Sequence, residues 1–126
     1  MQKVDAEGPL SPAEVWERYT HASLWSSWAP QVRGVSGAHD PVRAGDRGWV
    51  RGPFPLRLPY TVLAVDEGAR RWSWQVGIGV VSVVMEHGVD PAPAGSRAWL
   101  RIEVPGPLAA PYAPIARMAL RRLVRP

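Results

Sequence analysis

After residue 30 apolar and polar residues alternate with a period of two along most of the chain, and the two flanks of this region switch to helical spacing. The most regular stretch, "SRAWLRIEV", puts Ala98, Leu100, Ile102 and Val104 on one face and Arg97, Trp99, Arg101 and Glu103 on the other. That is the pattern of a strand with one buried and one wet side. "RRWSWQV" repeats it: Trp72, Trp74 and Val76 alternate with Arg71, Ser73 and Gln75, so both tryptophans are expected to point inward. In "VVMEHGVDP" and the residues before it, Val81, Val83, Met85, His87 and Val89 share one face, and His87 stands in apolar company. Turns expected at "SGAHD", "RAGD", "GPFP", "DEGAR" and "DPAPAG" separate strands near 31–36, 46–52, 60–66, 70–77, 80–89 and 96–104. "MQKVDAEG" offers one further, weakly patterned strand at the start.

The helical flanks are equally readable. In "SPAEVWERYTHA", Ser11 can cap a helix, Pro12 suits its first position and Glu14 completes a Ser-x-x-Glu capping box, which predicts a helix from Pro12 to about His21. "SLWSSWAP" offers Ser23 as a second cap and a short turn of helix stopped by Pro30. At the other end, "GPLAAPYAPIARMALRRLVRP" carries a stripe of Leu108, Tyr112, Ile115, Ala119 and Leu123 with Met118 beside it, while Arg117, Arg121 and Arg125 lie on another face. Pro111 and Pro114 place either the start of the regular helix or a kink near residue 111.

Composition narrows the classes of function. A chain of 126 residues is expected to form one domain, residues 1–126, with a single core. No apolar run reaches the roughly 18 residues of a membrane span, and the first twenty residues lack a signal peptide's apolar core, so a cytoplasmic protein without stable membrane association is expected. With no cysteine there is no disulfide framework, thiol nucleophile or thiolate metal site. His21, His39 and His87 show no ligand spacing, so neither a metal nor any other cofactor is expected. The net charge of +4 is confined to Arg117, Arg121, Arg122 and Arg125, because residues 1–116 hold eleven basic and eleven acidic groups. Four arginines in the last helical turns complement the helix dipole and are few for nucleic-acid binding. There is no Gly-x-Ser-x-Gly elbow, and "GIGVV" lacks the lysine and following helix of a phosphate loop.

The order strand, two short helices, six strands and a long amphipathic helix resembles the helix-grip fold of START-like proteins. "SPAEVWERYTHASLWSSWAPQV" looks like that group's opening helix with a Trp-x-x-Trp turn, and "YTVLAVDEGARRWSWQV" is similar to its central hairpin. "MEHGVDPAPAGSRAWLRIEVPGPLA" resembles its strand with an inward His, the following turn and strand, and the Gly-Pro lead into the last helix. The superfamily is that of polyketide cyclase/dehydrase and lipid-transport proteins, also called SRPBCC. The resemblance implies an α+β fold in which a curved antiparallel sheet of about seven strands wraps a long C-terminal helix. It also implies an internal cavity for apolar or aromatic molecules, sometimes with cyclisation or dehydration chemistry. It supplies no shared catalytic set.

The expected partner is therefore a small hydrophobic or aromatic ligand, bound by a monomer or homodimer that does not bind nucleic acid. Ligand-binding candidates are Trp72, Trp74, Met85, His87, Ile115 and Met118. His87 and Tyr60 are the candidate acid/base groups should the chain be a cyclase/dehydrase-like enzyme that assists proton loss from a carbonyl compound. Trp16, Trp25 and Trp28 are read as core. Two alternatives remain: a non-catalytic carrier or sensor with the same cavity, and an interaction module that uses the basic C-terminal helix.

Overall fold

The computed structural model describes residues 2–53, 56–104 and 106–126. Strand β1 (Gln2–Gly8) leads into helix α1 (Pro12–Thr20), a 3-10 turn (Ala22–Leu24) and the short helix α2 (Trp25–Trp28). Strands β2 (Gly34–Val35), β3 (Arg47–Arg51), β4 (Arg57–Asp66), β5 (Arg71–Ile78), β6 (Val81–Ala92) and β7 (Gly95–Glu103) follow. The chain closes with α3 (Gly106–Ala109), a 3-10 turn (Ala110–Tyr112) and α4 (Ala113–Leu123). One antiparallel sheet takes the order β1-β7-β6-β5-β4-β3-β2. Its concave face packs on α4, and α1 and α2 close the remaining side.

The local signals act as expected at α1. The Ser11 hydroxyl accepts from the Glu14 amide at 3.2 Å, and the Glu14 carboxylate accepts from the Ser11 amide at 3.3 Å, a reciprocal cap that stabilises a helix by about 1 kcal/mol. The second cap differs: Ser23 lies inside the 3-10 turn, and α2 has no side-chain cap. The C-terminal segment does break at its prolines, with the 3-10 turn ending at Tyr112 before α4 begins. Strand β6 outruns its expected end, because Asp90, Pro91 and Ala92 still pair with Arg97, Ser96 and Gly95. Met1 of the first strand, Phe54 and Pro55 of the "GPFP" turn, and Pro105 lie outside the described residues.

Two faces depart from the sequence reading. The buried side of α4 is Ala113, Ala116, Ala119, Leu120 and Leu123, whereas Ile115 is 39% and Met118 47% exposed. Three alanines beside Leu120 and Leu123 let the helix lie close to the sheet, and Ile115 and Met118 are turned outward. Trp99 is on the outer face of β7, as its alternation requires, yet it is only 4% exposed. The cations of Arg71 and Lys3 lie 4.8 and 5.3 Å from its ring, and its indole N–H donates to Asp90 at 3.1 Å. Gly88 makes room for that ring, since a Cβ there would fall 2.2 Å from it.

Candidate functional site

Period-two alternation on two paired strands builds the site. Trp72 pairs with His87 and Trp74 with Met85 across β5 and β6, so four side chains form a patch on the concave face. Leu100 extends it from β7, opposite His87. From the other side come Tyr19 of α1, Trp25 and Trp28 of α2, and Gln31 and Val32 after it. Tyr112, Ala116, Ala119 and Leu120 of the C-terminal segment complete the wall. They line a cavity of about 60 Å³ between sheet and helix that opens to the surface on one side.

Trp72, Trp74, Met85 and His87 line one cavity, while Ile115 and Met118 face away and are not among the described residues of its wall. Tyr60 is buried, but its hydroxyl donates to the Ser36 carbonyl at 2.6 Å and its ring lies behind Trp74, with ring centroids 5.3 Å apart. Burial pushes its pKa up to about 12, with Asp46 adding to the shift. Tyr60 therefore does not join His87. The tryptophans read as core divide: Trp16 packs away from the cavity and donates to Glu67 at 2.7 Å, whereas Trp25 and Trp28 line it. The Trp-x-x-Trp spacing on a short helix that faces the sheet was the available signal for that role. Gln31, which nothing in the local pattern aims inward, donates to the hydroxyl of Tyr112 at 3.0 Å, and Tyr112 belongs to the apolar stripe read for the C-terminal helix.

His87 is 7% exposed and lies flat against Trp72, with ring centroids 3.8 Å apart and planes 4° from parallel. Its Nδ1 is 3.1 Å from the Trp72 carbonyl oxygen, which can only accept. Nδ1 therefore carries the hydrogen, and Nε2 keeps a lone pair with no protein partner among the described residues. Burial, partly opposed by that hydrogen bond, drops the pKa to about 3. The imidazole is neutral and a hydrogen-bond acceptor. Burial also raises the pKa values of Tyr19 and Tyr112, and Tyr19 donates its hydroxyl hydrogen to the Trp99 carbonyl at 2.7 Å.

The remaining polar atoms are sparse. Among the described residues the indole N–H groups of Trp72 and Trp74 and the Gln31 Oε1 are buried without partners, as are Ser96 Oγ and Arg101 Nε outside the cavity wall. No Arg, Lys, Asp or Glu lines the cavity among the described residues. Among the described residues no group of three His, Asp or Glu side chains is placed to hold a metal ion, and no helix is long and apolar enough to cross a membrane.

The sequence profile of one family, polyketide cyclase / dehydrase and lipid transport, matches residues 1–126. The chain belongs to that family. Among curated proteins no match was found. Among solved structures the family member is similar to protein MLL2253 from Mesorhizobium loti, with a TM-score of 0.79 at 15% identity, over 97% of this chain and 92% of that one. It is also similar to the hypothetical protein jhp0584 from Helicobacter pylori (TM-score 0.75, 15% identity, 98% and 83% of the two chains). The same fold recurs in Ara h 8.0201, with a TM-score of 0.72 at 12% identity over 97% and 92%. At such identities the likeness establishes the Bet v 1-like helix-grip fold.

Proposed function

We propose that the chain, as a single cytoplasmic domain, binds a small aromatic or apolar molecule between sheet and C-terminal helix and releases it chemically unchanged, as a carrier or sensor. The observation that carries this reading is the apolar wall of Trp25, Trp28, Trp72 and Trp74, whose residues also carry the buried, unpaired N–H groups of Trp72 and Trp74. Apolar enclosure with a small number of polar groups is the usual composition of a ligand site.

The state of His87 favours holding over turnover. A base whose conjugate acid has a pKa of about 3 is too weak to draw a proton from a carbonyl compound at neutral pH, and no carboxylate stands beside it to raise that value. Tyr60 is spent on Ser36. Size limits the ligand: about 60 Å³ accommodates roughly four waters, against about 150 Å³ for an engineered apolar cavity that binds benzene. Admission of a ring therefore requires a wall to move. The wall is bridged by the Gln31–Tyr112 hydrogen bond and lined by the adaptable thioether of Met85.

Titration of tryptophan fluorescence with single-ring aromatics, followed by mass analysis of the recovered ligand, tests both halves. Saturable quenching with a ligand of unchanged mass supports the proposal. Absence of saturation overturns binding, and a ligand recovered as a dehydrated or cyclised product overturns the carrier reading.

A further inference from the structure

We infer that the cavity's ligand is a neutral aromatic molecule bearing an acceptor oxygen for the Trp72 and Trp74 indole N–H groups and an O–H or N–H donor for Nε2 of His87. The inference rests on the binding role proposed above and adds the ligand's chemical class.

The tryptophans themselves carry the argument. Four buried indoles satisfy their N–H groups within the protein: Trp16 on Glu67, Trp25 on the Tyr19 carbonyl, Trp28 on the Arg18 carbonyl and Trp99 on Asp90. The two left without partners, Trp72 and Trp74, are adjacent on the concave face of β5 and both line the cavity. Buried donors are almost always paired in folded proteins. Ser96 Oγ and Arg101 Nε are also unpaired but stand singly outside the cavity wall, whereas the two indole N–H groups belong to neighbouring rings of that wall, where one acceptor on an occupant would pair both. His87 presents the complementary group, because its Nδ1 hydrogen is engaged by the Trp72 carbonyl and its second nitrogen is left as an acceptor.

Charge fixes the rest. With no cationic side chain in the wall, an anionic ligand would be desolvated without compensation. A cation would meet the positive ends of the two indole N–H dipoles. A neutral ring with both hydrogen-bonding roles, of which phenol is the smallest example, matches the two indole N–H groups and Nε2 of His87.

Phenol and toluene differ mainly in the hydroxyl, which makes them the probes, with benzoate as the charged control. In ¹H–¹⁵N spectra of the wild type, phenol is expected to move the Trp72 and Trp74 indole signals downfield saturably, while toluene moves them less and benzoate does not bind. In the double variant Trp72→Phe, Trp74→Phe the preference for phenol over toluene should fall roughly tenfold. Equal indole shifts with phenol and toluene, or an unchanged preference in the variant, overturn the inference and leave the binding role standing. Benzoate binding more tightly than phenol overturns the neutral class. Failure of all three probes to bind removes the binding role itself. Should the variant not fold, the wild-type spectra decide.

Discussion

Replacing His87 with leucine should flatten the dependence of stability on pH between 7 and 5. In the folded chain the imidazole is enclosed and its pKa lies at about 3, against an ordinary value of 6.5 when the chain unfolds. The folded pKa is the lower one, so the unfolded state binds more protons between these values and stability falls as the pH drops below 6.5. Integrating that difference from pH 7 to pH 5 gives a loss of about 2 kcal/mol, continuing until the pH reaches about 3. Asp46 acts in another window. Burial alone would raise its pKa, but the Arg43 and His39 amides and the His39 ring hold it below 3.8, so its contribution is lost only in stronger acid. Denaturant unfolding at pH 7 and pH 5, on wild type and His87→Leu, reads the effect as a difference of differences in which every other group cancels. The wild type should lose about 2 kcal/mol more than the variant. Equal losses would refute the claim that His87 is buried neutral, and with it the assignment of Nε2 as a standing acceptor.

Other expectations follow from single contacts. Tyr60→Phe should cost about 1 kcal/mol through the lost bond to the Ser36 carbonyl while leaving aromatic uptake unchanged, as denaturant melts and fluorescence titration would show. Gly88→Ala sets a methyl group 2.2 Å from the Trp99 ring and should destabilise by about 1–3 kcal/mol in the same melts. Arg18 donates from Nη1 to the carbonyls of Arg122, Leu123 and Arg125 at 3.3, 2.7 and 2.6 Å, capping the end of α4. Arg18→Met should therefore cost about 1–2 kcal/mol, with faster amide exchange confined to the last turn of α4.

Much of this was legible because strands write their facing directly into the sequence. The alternation through Trp72, Trp74, Met85 and His87 put four cavity residues on one face, and two antiparallel strands with matching patterns could hardly pair otherwise. The helix was harder. Of the stripe Leu108, Tyr112, Ile115, Ala119 and Leu123 with Met118 beside it, Tyr112, Ala119 and Leu123 do face inward, whereas Leu108, Ile115 and Met118 do not, because what decides the buried side is how closely the backbone can approach a wall already filled by indoles. Alanines win that contest, and side-chain hydrophobicity alone does not reveal it. Trp99 misleads for a related reason, since a long cationic side chain can cover a ring on a nominally wet face. The polar partners of Tyr60 and His87 depend on backbone carbonyls brought near by folding, namely those of Ser36 and Trp72. Neither has any mark in the sequence.

A cavity-filling variant tests the location of the site most directly. Ala116 is buried in the wall contributed by α4, and a leucine there would occupy space that a ligand needs. The melting temperature should be measured for wild type and Ala116→Leu, each with and without a saturating single-ring aromatic, since a ligand that binds only the folded chain raises it by mass action. The account predicts a ligand-dependent rise in the wild type and none in Ala116→Leu, each measured against the same chain's own ligand-free melting temperature. An equal rise in both chains would place the ligand somewhere other than the cavity and contradict the account.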